Sequence, residues 1–485
     1  MIPASMLHTT RPPLMLLLAT VLAIAACAVN PATGERQFLL IGEEREIQMG
    51  RESDPAIVAQ YGLYPDSSVQ RYVRDLGLRL AAVSERPDLP WTFRVLDDPA
   101  INAFALPGGF IYVTRGILAH FESEAQLAGV LGHEIGHVTG KHSAEQMSTA
   151  QAAQLGLVVG AVASETVRDN FDPIQGLVGL GFLKFGREDE NQADELGVRY
   201  MTRLGYDPRE LAGVMEMLAA SSRLASGGGG RLPEWQSTHP NPENRVRSIL
   251  AQVEEQSLVP ADPIVRGEEF VGRLAGLTYG PNPREGYVED GVFHHPDLAF
   301  RFVPPAGWQV QNLKQAVLAG PPEQDAILQL TIAESDPSAA ANGFGNQQGV
   351  RTSQPMSRTI NGLSAVVMDF RATAQNGELQ GQVAFIRHDD LTYQLLGYAP
   401  AQRWPNRESA IEGSIRSFAE ETSPAVLSVE PARIDLIRLS GAEPFDAFAE
   451  RYPSSVPAER VALLNQVQPG GVLRGAYAKR VVGGR

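Results

Sequence analysis

The chain has 485 residues, with 41 Lys and Arg against 56 Asp and Glu, a formal net charge of −15, and a single cysteine. That length implies two to three domains. An acidic chain without a compact basic run repels phosphate backbones, so no nucleic-acid partner is expected. One cysteine excludes an intramolecular disulfide and a zinc site built on cysteines.

Arg11 precedes an apolar run from Leu14 to Ala26 that only Thr20 interrupts. The run has the length of a signal-peptide core and is short for a bilayer span. It ends Ile24-Ala25-Ala26-Cys27, which resembles a bacterial lipobox. The resemblance implies removal of residues 1–26, lipidation of Cys27 and a protein anchored to a membrane in the periplasm. Ala28, where an Asp would retain a lipoprotein at the inner membrane, implies the outer membrane. Multiple acyl chains anchor stably where one does not. The competing reading is a plain signal peptide with Cys27 incidental. No later stretch reaches about 18 uninterrupted apolar residues. The nearest, 155–163 and 174–185, read as buried helices or as an apolar lip facing a membrane.

Residues 43–85 carry helical periodicity in two segments. Tyr72, Val73, Leu76, Leu80 and Val83 form one face of the second, with Asp66 or Ser67 as its cap. Three strand-like runs follow, 91–96, 102–105 and 110–114, the last two joined by Pro107-Gly108-Gly109 as a hairpin. Ser123 and Gln126 have capping-box spacing ahead of a long helix with apolar residues at Leu127, Val130, Leu131, Ile135 and Val138. Helices continue to about residue 224, Gly227–Gly230 reads as a loop or hinge, and 242–255 reads as a last helix.

Beyond residue 265 the pattern turns strand-rich. Segments 298–303, 327–332, 365–370 and 382–386 read as strands and 407–418 as a helix, giving a separate α+β domain over 285–420. Its His294 and His295 read as surface residues. The block 425–485 resembles a LysM-like carbohydrate-binding module. Its first strand would be 434–439, its helix 445–451, its signature Leu463-Leu464-Asn465, and Gly470-Gly471 with Val472-Leu473 would close it. The expected organisation is a signal peptide (1–26), a mainly helical domain with a small sheet (27–265), the α+β domain and the small module: an α+β protein overall.

The chemistry centres on His133-Glu134-Ile135-Gly136-His137. Histidines at i and i+4 share a helix face and can reach one Zn²⁺, and the Glu beside the first is placed as base for the attacking water. A catalytic zinc needs a third protein ligand. His142 falls one residue short of metzincin spacing, and in a continuous helix it would point away from His133. Glu190 is the better candidate. With Asp194 it forms an i, i+4 carboxylate pair, one to bind metal and one to accept a hydrogen bond from a ligand imidazole. The competing reading of 187–194 is a solvated acidic helix face.

His133-Glu-x-x-His137 with Glu190-x-x-x-Asp194 resembles the gluzincin family of HtpX and the CAAX prenyl proteases, and within it the soluble periplasmic branch of BepA-like lipoproteins. Asn102-Ala103-Phe104-Ala105-Leu106-Pro107-Gly108-Gly109 resembles the segment before the zinc helix, and Ser237-Thr238-His239-Pro240 with Arg245 the downstream motif. Together these span about 60–250. The C-terminal half departs, since BepA-like proteins carry helical repeats there.

The resemblance implies an endopeptidase with one Zn²⁺ on His133, His137 and Glu190, with Glu134 as base and polypeptides of the cell envelope, misfolded or unassembled, as substrates. Its alternative is an outer-membrane assembly factor with rare cleavage. Asp194 and Arg245 are expected around the ligands. Residues 102–105 would hold substrate as an added strand, or form a core hairpin. His239 would donate to the oxyanion, occupy the fourth metal position at rest, or cap a helix. Peptidoglycan is a candidate partner for 425–485.

Overall fold

A computed structural model describes residues 27–160, 185–227, 235, 238–240, 242–374 and 377–484, with only the backbone at 27–28, 152–160 and 227. The expected signal peptide, residues 228–230 of the glycine loop and most of the two apolar runs lie outside the described residues. Among the described residues, no helix is long and apolar enough to cross a membrane.

A short hairpin opens the chain, β1 (Cys27–Val29) against β2 (Arg36–Phe38). Helices α1 (Glu43–Tyr61) and α2 (Ser67–Ala82) follow. Asp66 caps α2 as its sequence implies, accepting from the backbone N–H of Ser68 and Val69. Strands β3 (Thr92–Leu96), β4 (Ala103–Leu106) and β5 (Phe110–Thr114) form a sheet in the order β3-β5-β4, with β4 and β5 the expected hairpin. The short α3 (Arg115–His120) leads into α4 (Glu124–Thr139), which carries the His-Glu-x-x-His motif. Ser123 caps α4 by accepting from the Gln126 N–H, but the Gln126 side chain accepts from Glu122 N–H, so the capping box is only half formed. All of α4 is buried; a helix hydrophobic on every side belongs to the interior.

Helix α4 stops at Gly140 because Lys141 takes a left-handed φ of 58°, and α5 (His142–Gly160) begins in a new direction. Helix α6 (Arg187–Arg203) then lies along α4, with α7 (Arg209–Gly227) and α8 (Pro242–Glu255) completing the bundle. The α4–α6 crossing is close because glycines face backbone. A Cβ on Gly132 would sit 3.2 Å from Gly197 Cα, and one on Gly136 would sit 2.9 Å from Ala193 O.

The core of this bundle extends past residue 265. Phe270, Val271, Leu274 and Leu277 join it, and so do Ile434, Leu464 and Val481 from the far end of the chain. The chain leaves at Thr278, which bridges to Arg433 where it returns. Between them lies the α+β domain. It has an eight-stranded antiparallel sheet with long strands Leu363–Ala374, Gly377–His388 and Leu391–Pro400, a four-stranded sheet, and a covering helix Trp404–Ser417. His294 and His295 are not free surface residues as the sequence suggested. His294 Nδ1 lies 2.5 Å from Glu421 Oε2, and His295 Nδ1 accepts from the Leu298 N–H.

The last block runs strand Arg433–Arg438, helix Phe445–Arg451, helix Ala458–Leu464 and strand Tyr477–Val482, the two strands pairing antiparallel. Val472-Leu473 does not close it; that pair bonds to Glu443-Pro444 instead. The block is docked on the helical core through Lys479. Its buried ammonium donates to Ala119 O and Phe121 O and pairs with Glu122 at 2.7 Å. Gln466 adds a bond to His120 O.

His120 lies wholly buried under this contact. Burial, assisted by the positive Lys479 and Arg460 and opposed by its bond to Gly116 O, pushes its pKa down to about 4. A folded pKa below the unfolded one means stability is complete above pH ~6.5 and is lost as pH falls toward ~4. That group should cost about 3 kcal/mol over this interval. Urea unfolding from pH 7 to 4 should show it as a slope that His120→Gln flattens; an unchanged slope would refute it.

Candidate metal centre

Four buried groups converge where α4 crosses α6. Donor atoms of His133, His137, Glu190 and His239 all lie within 4.8 Å of one another. His133 and His137, one helical turn apart, bring their Nε2 atoms to 3.1 Å. Glu190 Oε1 lies 3.6 Å from His137 Nε2, and Glu190 Oε2 lies 3.7 Å from His133 Nε2. His239 enters from the segment before α8 and places Nδ1 2.8 Å from Glu190 Oε1.

The outer nitrogens of the two helix histidines are both held. His133 Nδ1 sits 2.9 Å from Asp194 Oδ1, and Asp194 in turn takes a forked pair of bonds from Arg245, at 2.7 and 2.6 Å. Arg245 also reaches Glu190 Oε2 at 2.6 Å. Burial works against ionising Asp194, but Arg245 and His133 outweigh it and bring its pKa down to about 2. Glu190 is also lowered: burial opposes its charge, and His239 and Arg245 overcome it. Both carboxylates thus stay ionised, as metal coordination and its support require. His137 is pushed well below its ordinary range by burial and by the neighbouring His133 and His142. A neutral imidazole is the form that binds a metal.

Glu134 is completely buried between these groups. Burial raises its pKa, with Glu190 adding and His239, His133 and Arg245 opposing. Neither of its oxygens has a hydrogen-bond partner among the described residues, and His239 Nε2 lacks one too. His239 Nε2 lies 3.7 Å from Glu134 Oε1, beyond bonding reach. Unpartnered acceptors beside a clustered donor set fit a bound cation and its water, because a closed apolar core would not leave them unmet.

His142 has a role that its spacing concealed. It is not a metal candidate; its Nδ1 lies 2.9 Å from His137 Nδ1, so it supports that ring as Asp194 supports His133. The turn at Gly140 and Lys141 brings it back, and a Gly followed by a polar residue was the available signal. Phe185 and Trp235 carried no signal. Phe185 stacks on His137 at 3.9 Å between centroids, and Trp235 lies between His239 at 4.8 Å and the Arg245 guanidinium at 4.9 Å.

Asn102, Ala103 and Phe104 are buried and Ala105 is half-buried. Strand β4 is the sheet edge and runs beside α4. Asn102 accepts through its backbone from Thr114, and its side-chain oxygen is buried without a partner among the described residues. Cys27 begins β1, far along the chain from these groups. Arg187 is exposed at the start of α6.

A His-Glu-x-x-His helix crossed by a helix that supplies a carboxylate is the arrangement of a metallopeptidase domain. Residues 67–253 match the model of peptidase family M48. The chain is 32% identical over 222 residues to the mitochondrial metalloendopeptidase OMA1 of Schizosaccharomyces pombe, covering 45% of this chain and 64% of that one. It is 31% identical over 223 residues to the beta-barrel assembly-enhancing protease of Escherichia coli, covering 44% of each. A protein named putative beta-barrel assembly-enhancing protease in Vibrio cholerae is 31% identical over 251 residues, 49% of each chain. The matches therefore span about half to two thirds of these relatives' own lengths.

Proposed function

We propose that the chain is a zinc endopeptidase of the bacterial cell envelope, anchored through a lipid on Cys27 and facing the periplasm from the outer membrane. The convergence of His133, His137 and Glu190 beside an unpartnered Glu134 carries this reading. The relatives' names support cleavage of polypeptides in an envelope or organelle setting. Zinc fits the donor set of two imidazoles and a carboxylate, with a position left for water or substrate. When bound, it would lower the pKa of a water and polarise the peptide carbonyl.

The protein's own groups do the rest. Glu134 takes the proton from the attacking water and returns it to the departing amine. Its raised pKa suits both halves of that task. His239, with Nε2 free and close to Glu134, donates to the oxygen that gains charge as the carbonyl is attacked. Asp194 and His142 keep the two histidine rings oriented, and Arg245 fixes Asp194. Residues 102–105 of the edge strand align the substrate backbone beside α4.

An assembly factor that rarely cleaves is the weaker reading, because binding alone needs no buried base. A casein assay with metal analysis tests the choice: one zinc per chain with cleavage supports the peptidase, and one zinc without cleavage sinks it.

The strand-helix-helix-strand order of 433–482 supports the LysM-like reading and peptidoglycan as its partner. Loss of peptidoglycan pull-down after charge reversal on its exposed face would bear this out.

Gly136→Ala tests the geometry of the ligand set. The added Cβ meets Ala193 O at 2.9 Å, so α6 must move and take Glu190 with it. Chelator competition should show zinc affinity reduced on the order of tenfold or more, the scale of disturbed ligand support. Unchanged affinity would mean that Glu190 is not a ligand.

A further inference from the structure

The hairpin that starts at Cys27 is built into the catalytic core, and this has a spatial consequence. Two of its polar side chains are spent on the end of α4. Asn30 donates to Thr139 O at 3.1 Å and Gln37 donates to Gly140 O at 2.6 Å. Arg86 completes the set by donating to Val138 O at 2.8 Å. The last carbonyls of a helix have no partner within it, so these three side chains cap the helix that holds His133 and His137. Asn30 and Gln37 are buried and bonded to each other at 2.8 Å, and Asn30 N–H donates to Glu35 O to close the loop.

No slack separates Cys27 from this cap, for it already pairs with Phe38. A chain spans at most ~3.5 Å per residue, so Cys27 lies within roughly 10 Å of Asn30. Thr139 is two residues beyond His137, a rise of about 3 Å. The anchor point is therefore on the order of 20 Å from the metal centre.

The hairpin also reaches the outer nitrogen of His137 through a chain of side-chain bonds. Glu35 accepts from Gln192 at 2.7 Å, the other end of Gln192 meets His142, and His142 meets His137. Glu35, His142, Glu145 and Gln192 line one depression of about 580 Å³. Its acidic rim gains nothing from an anionic lipid surface, so the covalent anchor must supply the attachment.

We infer that the β1–β2 hairpin holds the catalytic centre at a short, fixed distance from the lipid bilayer, so that the enzyme acts on polypeptide segments emerging at the membrane surface. This rests on the peptidase and lipid-anchor readings above. A lipoprotein with a long flexible leader would sample the periplasm; this one is fixed at contact range.

The test compares the lipidated full chain with a variant carrying a Gly/Ser segment of about 20 residues after Ala28. That insertion adds roughly 25 Å of root-mean-square reach and leaves Ala28 next to Cys27. Both are placed in phosphatidylethanolamine/phosphatidylglycerol vesicles. The substrates are casein-derived segments on a single membrane-spanning helix, starting about 5 or about 40 residues from the bilayer. The wild type should cleave the near segment at least about fivefold faster than the far one, and the insertion should abolish that preference. Both should cleave soluble casein equally, which controls for damage to the hairpin. The same near-to-far ratio in both proteins overturns the inference. Failure of both to cleave casein overturns it through the peptidase reading. Failure of the wild type to float with vesicles overturns it through the anchor.

Discussion

Replacing Glu134 by Gln should lower casein cleavage by about 10³-fold while the metal content stays at one per chain. The substitution keeps the shape of the side chain and removes only its ability to accept a proton, and general-base catalysis contributes typically ~10²–10⁴-fold. Glu134 touches neither Asp194 nor Arg245 in any bond described above, so the ligand scaffold is left alone. The buried position makes the test clean in another way. A Gln amide has both a donor and an acceptor, and the carboxyl oxygens it would replace have no partner among the described residues. The variant should therefore fold at least as well as the wild type. Loss of metal along with activity would instead make Glu134 part of the binding set, and full activity would remove it from the mechanism.

The second large effect is expected at Arg245. Its guanidinium is fully buried and serves two carboxylates, Asp194 and Glu190, with Asp194 and Glu190 holding its pKa up against burial. Breaking a buried ion pair from one side costs about 3–5 kcal/mol, because the remaining charge has no solvent to turn to. Arg245→Leu should therefore destabilise the metal-free protein by about that amount. The metal-loaded protein should lose less, since the cation then supplies the countercharge that Glu190 has lost. The rise in Tm on adding zinc should accordingly be larger in the variant than in the wild type. Equal losses in the two states would show that Arg245 and the metal do not share Glu190.

The catalytic half was readable because its signals are local. The caps at Asp66 and Ser123, the hairpin turn at Pro107-Gly108-Gly109 and the i, i+4 spacings of His133/His137 and Glu190/Asp194 each depend on a few neighbouring residues. What escaped depends on the third dimension. His142 supports His137 only because one left-handed residue, Lys141, turns the chain, and one residue with positive φ leaves no periodicity to read. Phe185 and Trp235 act through ring contacts with groups distant in sequence. The extent of the helical core was hidden for the same reason. Ile434, Leu464 and Val481 lie more than 150 residues beyond its last helical signal, and the composition shift after residue 265 marks an inserted domain rather than a boundary. The carbohydrate-binding outline of the last block placed the first strand and helix well but named the wrong closing strand.

That insertion sets an order of events in the life of the chain. Residues 278 and 433 sit side by side, and the strand around Val481 and the ammonium of Lys479 complete the ground on which α3 and α4 rest. The interior of the catalytic unit cannot close until residues 433–482 have been made, whereas the inserted domain has a core of its own and can fold first. Contacts that join the two ends of a chain form late, since their loop must close before they return any energy. The ligand-bearing helices are thus locked in place last, after the inserted domain has folded.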